Sequence, residues 1–228
     1  MRTSRSSLSR AASLREVASA GTAARAFDLP PGRRLGRSFF ARDTQQVARE
    51  LLGKILARRW RGVWLSGRIV EVESYVGADD LACHAAKGRT ARTETLYGPP
   101  GRAYVYLIYG MYQMMNVVTE RSDFPAAVLI RALEPLNGLE QMRRFRRPAT
   151  DRNLTNGPGK LTRALRIDRQ LNREDLTTSA RLSIWDDGQV LADREIMVGP
   201  RIGIDYARHC VHYPWRYYVR GNPYVSRK

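Results

Sequence analysis

The segment Ile69–Tyr75 places two acidic side chains and a phenol at alternate positions of a predicted strand. Alternate residues of a strand share one face, so we expect Glu71, Glu73 and Tyr75 to point the same way and the intervening valines to point the other way. Two carboxylates on one strand face, beside a glycine-bearing loop, form a candidate acid–base site. The same pattern also fits a solvated outer face with the valines in the core.

The next aromatic segment, 104–112, contains four tyrosines in nine residues. A buried tyrosine needs a hydrogen-bond partner for its hydroxyl group, whereas an exposed one offers a flat surface on which a nucleobase can stack. Both interpretations fit this segment. Tyr106 and Tyr109 have opposite parity in a strand, so one can line a pocket while the other projects at the turn.

The stretch Asn156–Lys160 combines a glycine-rich turn with a predicted helix start. Backbone N–H groups at such a start, together with the Lys160 ammonium group, can bind a phosphate. Most Gly-Pro-Gly turns are only turns, and the spacing of a nucleotide-binding P-loop is absent. The sequence therefore makes Lys160 a candidate phosphate ligand and leaves the plain turn as the alternative.

Five potential metal ligands lie in two short stretches, Cys83-His84 and His209-Cys210-x-His212. Ligands adjacent in sequence rarely chelate one tetrahedral ion, and the usual spacings of zinc sites are absent. We therefore expect no metal centre. His84 remains a candidate for another role, because a neutral imidazole in a pocket can donate a hydrogen bond to a base edge.

The elements that position these residues are predicted to be mostly antiparallel strands. A helix should begin at Asp43-Thr44, and Lys54–Trp60 and Trp64–Val76 predict a hairpin around Arg61-Gly62. Further strands and two short helices follow along the chain: strands at Ala103–Tyr109, Gln113–Thr119 and Ala126–Leu133, and helices at Leu136–Phe145 and after Lys160. This order predicts an α+β fold with peripheral helices.

The charge of the chain is the most informative property of its composition. The 228 residues include 39 Lys and Arg against 22 Asp and Glu, a formal net charge of +17. Such an excess indicates a polyanionic partner, either nucleic acid or an anionic membrane surface. Hydrophobic residues make up 43% of the chain, which excludes wholesale disorder. No apolar run approaches the ~18–20 residues of a membrane-spanning helix, and two cysteines cannot form a disulfide scaffold.

Residues 1–37 are predicted to form a disordered basic tail, and residues 38–228 the globular domain. The tail contains eight arginines and only two acidic residues, among many Ser and Ala. This composition also resembles an organelle transit peptide, which is the alternative to a flexible arm. The tail carries +6 and the domain +11, so the globular part is itself basic.

Eight motifs occur in order between about Phe40 and Arg227. They are Leu51-Leu52-Gly53-Lys54, Gly67–Tyr75, Asp80-x-x-x-His84, Tyr104–Asn116, Leu129–Pro135, Asn156–Leu161, Gly199–Ile204 and Tyr218–Pro223. Each motif is weak alone, but the ordered set covers about four-fifths of the chain and is specific. In these motifs the chain resembles the alkyladenine (3-methyladenine) DNA glycosylases, in the form shared by bacteria and vertebrates.

The resemblance assigns roles to residues that match the family by position. Glu73 matches the glutamate that activates the hydrolytic water, Arg131 matches the arginine that helps to place it, and the Ile202 carbonyl group can assist. Glu71 has no catalytic counterpart. Tyr75 and Tyr106 match the aromatic residues that sandwich the extruded base, and His84 lies beside them. Asn116 matches the asparagine that disfavours guanine. Tyr109 matches the tyrosine that is wedged into the duplex. Lys160 is expected to hold a DNA phosphate.

The resemblance implies a curved, partly open antiparallel barrel in a single compact domain. It also implies base-excision repair of double-stranded DNA by a monomer without metal or cofactor. Alkylated or deaminated purines, such as 3-methyladenine, 7-methylguanine, hypoxanthine and ethenoadenine, would be flipped out and released by water attack at C1′, leaving an abasic site without strand cleavage. Leu96-Tyr97 stand where the family more often has Met-Phe, which leaves lesion preference open.

We expect a location in a bacterial cytoplasm, in contact with the nucleoid, and organelle targeting by the tail is the alternative. Other functions also fit parts of the pattern. A non-catalytic nucleic-acid-binding domain or a single-stranded RNA-binding protein would use the tyrosines for stacking. A sugar glycosidase would use Glu71 and Glu73 as its carboxylate pair, although the net charge favours a polyanionic substrate.

Overall fold

A computed structural model describes residues 30–148 and 150–227. In this part of the chain, nine strands form one antiparallel sheet that does not close, and four α-helices pack around it. The strands are β1 (Arg33–Arg34), β2 (Ile55–Trp60), β3 (Val63–Val76), β4 (Ala103–Ile108), β5 (Tyr112–Val118), β6 (Ala126–Asn137), β7 (Leu182–Asp186), β8 (Ile196–Gly199) and β9 (Arg216–Val219). The helices are α1 (Arg37–Phe40), α2 (Thr44–Leu51), α3 (Leu139–Arg146) and α4 (Pro158–Leu165). The predicted α+β class is confirmed.

Strand β3 lies at the centre of the sheet, whose main order is β1-β7-β2-β3-β6-β5-β4. The first half of β3 pairs with β2 and its second half pairs with β9, while β6 runs along its other edge. The main core lies between this sheet and the apolar faces of α2 and α4. The acidic segment predicted to carry chemistry is therefore held by neighbouring strands on both edges.

The first predicted hairpin, β2–β3, is confirmed. Arg61 and Gly62 form its two-residue turn with φ of 47° and 85°, the left-handed geometry that matches the twist of the flanking strands. The predicted helix start is also confirmed, because the Asp43 carboxylate caps α2 by accepting the Gln46 N–H at 2.9 Å. Local turn and cap residues were sufficient to predict both features.

Strand β6 is longer than predicted, and helix α3 correspondingly begins later. We expected the helix to begin at Leu136, but β6 continues to Asn137 because it pairs with the long strand β3, where Asn137 is opposite Ser66. Gly138, with φ of 79°, then reverses the chain direction before α3. We expected helix α4 after Lys160, but it begins at Pro158, because proline favours the first turn of a helix.

A β-bulge in β3 changes the predicted alternation of its side chains. The register with β6 shifts on either side of Glu71, and an inserted residue redirects side chains locally. Val70 consequently packs with Ala132 and Val225, whereas Val72 belongs to the main core. The expectation that the two valines share one face is wrong, and both glutamates are fully buried.

The predicted tail, residues 1–37, lies mostly outside the described residues, and its disorder stays a prediction. Its last residues are described: β1 pairs with β7, and Leu35 is buried in the core. The sheet therefore includes residues before the predicted boundary at 38. In the described ranges, no helix has the length and apolar character needed to cross a membrane.

Candidate active site

Glu73 lies in β3 with none of its side chain exposed. The Ile202 N–H donates to its Oε1 at 2.7 Å, and the Tyr75 hydroxyl group donates to its Oε2 at 2.8 Å. The guanidinium group of Arg131 lies 3.1 Å from Oε2. A solvated outer face is therefore the wrong interpretation of this strand, because a buried carboxylate here is compensated by a cation and two donors.

Glu71 is equally buried, but its oxygen atoms are all engaged elsewhere. They accept hydrogen bonds from Arg131 and Arg216 at 3.1 Å and from the Ser226 backbone and hydroxyl groups at 2.7 and 2.9 Å. Glu71 thus anchors Arg131 and the C-terminal segment of the fold. Neither glutamate lines the aromatic cleft itself. Glu73 bonds to Tyr75 in the cleft wall, whereas Glu71 bonds to no lining residue, which disfavours a sugar glycosidase built on both carboxylates.

Arg131 bridges the two glutamates from strand β6. Burial by itself would lower the pKa of its guanidinium group, but the charges of Glu73 and Glu71 raise the pKa above its ordinary value. Arg131 therefore stays protonated and holds both carboxylates in place. Strand pairing positions the three residues, since β6 runs antiparallel to β3 over this whole stretch.

A cleft beside this ion network is lined largely by aromatic side chains. Four residues that were predicted to contact the extruded base line it: Tyr75, His84, Tyr106 and Asn116. The other lining residues are Tyr104, Cys83, Ala82, Leu96 and Ala127. The His84 and Tyr106 rings meet edge to face with 4.4 Å between centroids. The cavity volume is about 20 Å³, enough for about one water molecule. A purine can enter only after these walls separate.

Tyr104 and Asn116 give the cleft its polar groups. The two residues are opposite each other in the β4–β5 pair, and the Asn116 amide donates to the Tyr104 carbonyl oxygen at 3.1 Å. This bond orients the amide and leaves Asn116 Oδ1 and the second Nδ2 hydrogen available to a ligand. We did not predict a role for Tyr104, although it has the same strand parity as Tyr106, and that parity was the available signal.

His84 lies in a short 3₁₀ turn, His84–Lys87, with its Nδ1 2.9 Å from the Tyr104 hydroxyl oxygen. Burial, with smaller contributions from Arg92 and Lys87, lowers the pKa of this imidazole from 6.5 to about 4. His84 is therefore neutral at pH 7. It can exchange a hydrogen bond with the edge of a bound ring without carrying a charge.

The His84 imidazole is expected to titrate near pH 4 in the folded protein. The unfolded chain takes up this proton at about pH 6.5. The contribution of neutral His84 to the free energy of unfolding is therefore complete above pH 6.5 and is lost as the pH falls towards 4. NMR titration of the ring protons, assigned with His84→Gln, measures the midpoint. A midpoint at or above 6.5 would contradict the buried, neutral assignment.

A second buried ion pair holds the loop that contacts Glu73. Arg201 and Asp80 are both inaccessible and form a bidentate pair at 2.5 and 2.7 Å. The Arg201 guanidinium group also lies over the rings of Tyr75 and Trp215, at 4.8 and 5.0 Å from their centroids. Arg201 immediately precedes Ile202 in the chain. One ion pair thus fixes both an aromatic wall of the cleft and a donor to Glu73.

We did not predict this second pair, although Asp80 and Arg201 both stand in motifs that carry the resemblance. They are 121 residues apart in the chain, so no local spacing could join them. Only the fold brings the two motifs together. Each of the two motifs contained a charged residue without a predicted role, and this was the signal that the sequence offered.

Tyr109 lies outside the cleft, at the tip of the β4–β5 hairpin, and 77% of its side chain is exposed. Its φ of 51° is left-handed, a conformation that costs energy for a non-glycine residue. Met111 and Tyr112 beside it are also exposed. Tyr106 therefore lines the cleft while Tyr109 projects from the turn, as their opposite parity predicts.

Lys160 lies in the first turn of α4, where its ammonium group donates to Asn156 Oδ1 at 2.8 Å. It does not line the aromatic cleft. The neighbouring Gly159 packs against the Tyr112 ring so closely that a Cβ atom there would approach it to 2.9 Å. The glycine-rich turn is therefore attached to the base of the hairpin that presents Tyr109.

Within the described ranges, no group of three or more His, Cys, Asp and Glu side chains is arranged to hold a metal ion. The two stretches with potential ligands lie in different clusters. Cys83 belongs to the aromatic cleft, where burial raises the pKa of its thiol to about 12. Cys210 packs with Ala82 and Ile204.

Comparison with known proteins gives one consistent result. A family model described as "Methylpurine-DNA glycosylase (MPG)" matches residues 38–223. A relative from Clostridium perfringens (strain SM101 / Type A) is 47% identical over 204 residues, covering 86% of this chain and all of the relative. A relative from Bacillus cereus (strain G9842) is 49% identical over 201 residues, covering 84% of this chain and 98% of the relative. Both are named "Putative 3-methyladenine DNA glycosylase".

Proposed function

Because the chain belongs to the methylpurine-DNA glycosylase family, and is thus a DNA-3-methyladenine glycosylase of DNA repair, we propose that it releases alkylated and deaminated purines by hydrolysis at C1′. The observation that carries this mechanism is the position of Glu73. This carboxylate is completely buried, is held by Arg131 and Ile202, and bonds directly to Tyr75 in the wall of the aromatic cleft.

The proposed reaction begins with extrusion of the damaged nucleotide from the duplex. Extrusion costs a few kcal/mol, and less for a damaged base. The base enters between Tyr75 and Tyr106 as these walls separate. An N-alkylated purine carries positive charge, so stacking on the phenol faces attracts it by roughly 0.5–2 kcal/mol.

The chemical step needs little beyond a well-placed water molecule. Alkylation makes the purine a good leaving group, and Glu73 takes the proton of the attacking water while its charge stabilises the developing oxocarbenium ion. Arg131 contacts the carboxylate and keeps it oriented. Neutral lesions such as hypoxanthine leave less readily and depend on hydrogen bonds from His84 and Asn116.

We propose that the enzyme is monofunctional, with water as the nucleophile. A lyase would need an amine at the sugar, and of the lysines in the described residues none lines the aromatic cleft. Lys54 pairs with Asp186, and Lys160 bonds to Asn156. The products are then a free base and an abasic site in an uncut strand.

The proposed partner is double-stranded DNA that contains damaged purines, bound by a monomer. The net charge of +17 supports a polyanionic substrate. We also propose a bacterial cytoplasmic location in contact with the nucleoid, with organelle targeting by residues 1–37 as the alternative. Lesion preference follows from the cleft and from the Leu96-Tyr97 segment beside it.

The proposed function is tested by incubating trace protein with oligonucleotides that each contain one lesion. Four substrates carry 3-methyladenine, 7-methylguanine, hypoxanthine or ethenoadenine. We expect release of free base without strand cleavage until alkali is added. Duplex DNA should compete for the protein better than RNA does. Binding without base release would support the non-catalytic alternative instead.

Tyr109→Ala is expected to weaken binding to a fully paired lesion duplex by about 5- to 150-fold, which corresponds to the loss of about 1–3 kcal/mol of stacking. A lesion in a mismatched or flexible site should lose less, because its extrusion requires less compensation. Affinity measured on both substrates tests this. Val190→Ala, which removes another exposed apolar side chain, is the control. Equal losses on both substrates would contradict the wedge.

A further inference from the structure

Three tyrosines pack against the apolar side chains of the aromatic cleft, and each has an arginine over its ring. The pairs are Arg201 over Tyr75, Arg89 over Tyr97 and Arg92 over Tyr106, with 4.8, 4.9 and 5.6 Å between the guanidinium carbon and the ring centroid. None of the three arginines lines the cleft. Arg92 therefore lies against the side of the Tyr106 ring that is turned away from the cleft, and Arg201 lies likewise on Tyr75.

Arg92 differs from the other two arginines in its charge balance. Arg201 pairs with Asp80, and Arg89 pairs with Glu94. Among the residues that the structure describes, Arg92 forms no ion pair. Its positive charge is therefore not compensated by a carboxylate within the described fold. The side chain is also exposed, so it can be replaced without opening the core.

The positive charge of Arg92 acts on groups inside the cleft. Burial lowers the pKa of His84, and the charge of Arg92 is the next largest cause, ahead of Lys87. Burial raises the pKa of the Tyr104 and Tyr106 hydroxyl groups, and the charge of Arg92 opposes both shifts. Arg92 thus creates a positive potential at the cleft wall on which a base would stack.

Release of a purine lowers the charge of the base by one unit. The electron pair of the glycosidic bond stays with the purine, while the water oxygen bonds to C1′ and its proton passes to Glu73. An N-alkylated purine enters as a cation and therefore leaves as a neutral base. A neutral lesion such as hypoxanthine develops negative charge as it leaves. A fixed positive charge beside the base stabilises the developing anion and destabilises the bound cation.

We propose that Arg92 determines how the cleft ranks purines by charge, favouring neutral lesions such as hypoxanthine over cationic ones such as 7-methylguanine. The inference rests on the proposed function, because the base must stack on Tyr106. A base at a contact distance of about 3.5–4 Å on the cleft side of the ring lies roughly 9 Å from the guanidinium group, which is 5.6 Å from the centroid. At effective dielectric constants between about 80 and 20, one unit of charge at this distance changes a ratio of rates by about 2- to 20-fold.

The proposal is tested with Arg92→Met, which removes the charge and keeps a long side chain. Single-turnover rate constants are measured at subsaturating protein on two duplexes, with hypoxanthine or 7-methylguanine at the same position opposite cytosine. We expect the ratio of hypoxanthine release to 7-methylguanine release to fall by about 2- to 20-fold. A DNA contact that is lost with the arginine would lower both rate constants by the same factor and would cancel in their ratio.

Two control variants separate the charge of Arg92 from the other properties of its side chain. Arg92→Lys keeps the charge, so its ratio should stay closer to that of the wild type than the ratio of Arg92→Met. Arg121→Met removes another exposed arginine that lies over an aromatic ring, that of Phe124, at 5.8 Å. Neither Arg121 nor Phe124 lines the cleft, and this variant should keep the wild-type ratio.

A second measurement detects the charge without any reaction. In an NMR titration, the midpoint of His84 should be higher in Arg92→Met than in the wild type and unchanged in Arg121→Met. A wild-type protein that releases neither base would refute the proposed function, and the His84 midpoint would still show whether Arg92 acts on the cleft. In an active protein, a release ratio that Arg92→Met leaves unchanged, or an equal fall in Arg121→Met, would overturn the role of Arg92. A His84 midpoint that does not move would overturn it as well.

Discussion

Replacing Glu73 by Gln is expected to lower the single-turnover rate of base release by at least about 10²- to 10⁴-fold, the usual contribution of a general base. Binding to lesion-containing DNA should stay nearly unchanged, because glutamine preserves the shape of the side chain. The loss has two origins. The amide cannot take the water's proton, and it no longer places a negative charge beside the developing cation.

The local geometry also predicts a moderate loss of stability in this variant. In the wild type, Oε1 faces the Ile202 N–H, and Oε2 faces the Tyr75 hydroxyl group and Arg131. An amide has only one oxygen atom, so in either orientation its NH₂ group meets a donor. One unsatisfied buried contact costs about 1–3 kcal/mol, and denaturant unfolding of both proteins measures it.

Glu71→Gln is the matched control for this experiment. Glu71 lies on the same strand, is equally buried and contacts the same arginine, but unlike Glu73 it bonds to no residue of the cleft wall. We expect this variant to lose stability and to keep base release within about tenfold of the wild type. A Glu73→Gln protein that retains most of its activity would refute the catalytic role of Glu73.

The fold could be predicted from the sequence where its causes are local. The turn at Arg61-Gly62 and the helix start at Asp43 each depend on a few neighbouring residues, and both were predicted. The start of α4 was predicted too late, after Lys160, whereas the helix begins at Pro158. The bulge in β3 has no such signature, because it arises from the pairing of two long strands. It redirected Val70, which no alternation rule could have shown.

The candidate site shows the same division between local and distant causes. Strand parity placed Glu73 with Tyr75 and separated Tyr106 from Tyr109. Burial of the two glutamates could not be inferred from their segment, since it depends on Arg131, about 60 residues away on β6. The Asp80–Arg201 pair was not predicted for the same reason, since its partners are 121 residues apart in the chain. The narrowness of the cleft is a property of packed side chains and has no sequence signal.

Two buried ion networks hold Glu73 at different oxygen atoms. The Asp80–Arg201 pair fixes the loop whose N–H group contacts one carboxylate oxygen, and Arg131 contacts the other oxygen. Neither network is easily replaced, because removal of one member of a buried pair leaves an uncompensated charge. The catalytic carboxylate is thus held in one position before any DNA binds, which is the preorganisation that electrostatic catalysis requires.

Arg131→Gln is expected to reduce stability more than any other single change in the site, and to reduce activity as well. Glu71 would keep its bonds to Arg216 and Ser226, but Glu73 would lose its one cationic partner among the described residues. Breaking a buried pair in this way costs about 3–5 kcal/mol of the free energy of unfolding. Loss of the guanidinium group 3.1 Å from Oε2 also removes one of the contacts that hold the carboxylate in position for the attacking water.

The single-turnover rate of base release by Arg131→Gln should therefore fall together with its stability, because Glu73 is no longer held in one orientation. The double variant Arg131→Gln/Glu71→Gln removes one of the two buried carboxylates, and it should regain stability without regaining activity at pH 7. If the single variant releases base at the wild-type rate, Arg131 does not position Glu73 for the reaction. If the double variant recovers activity along with stability, Arg131 acts only on the fold.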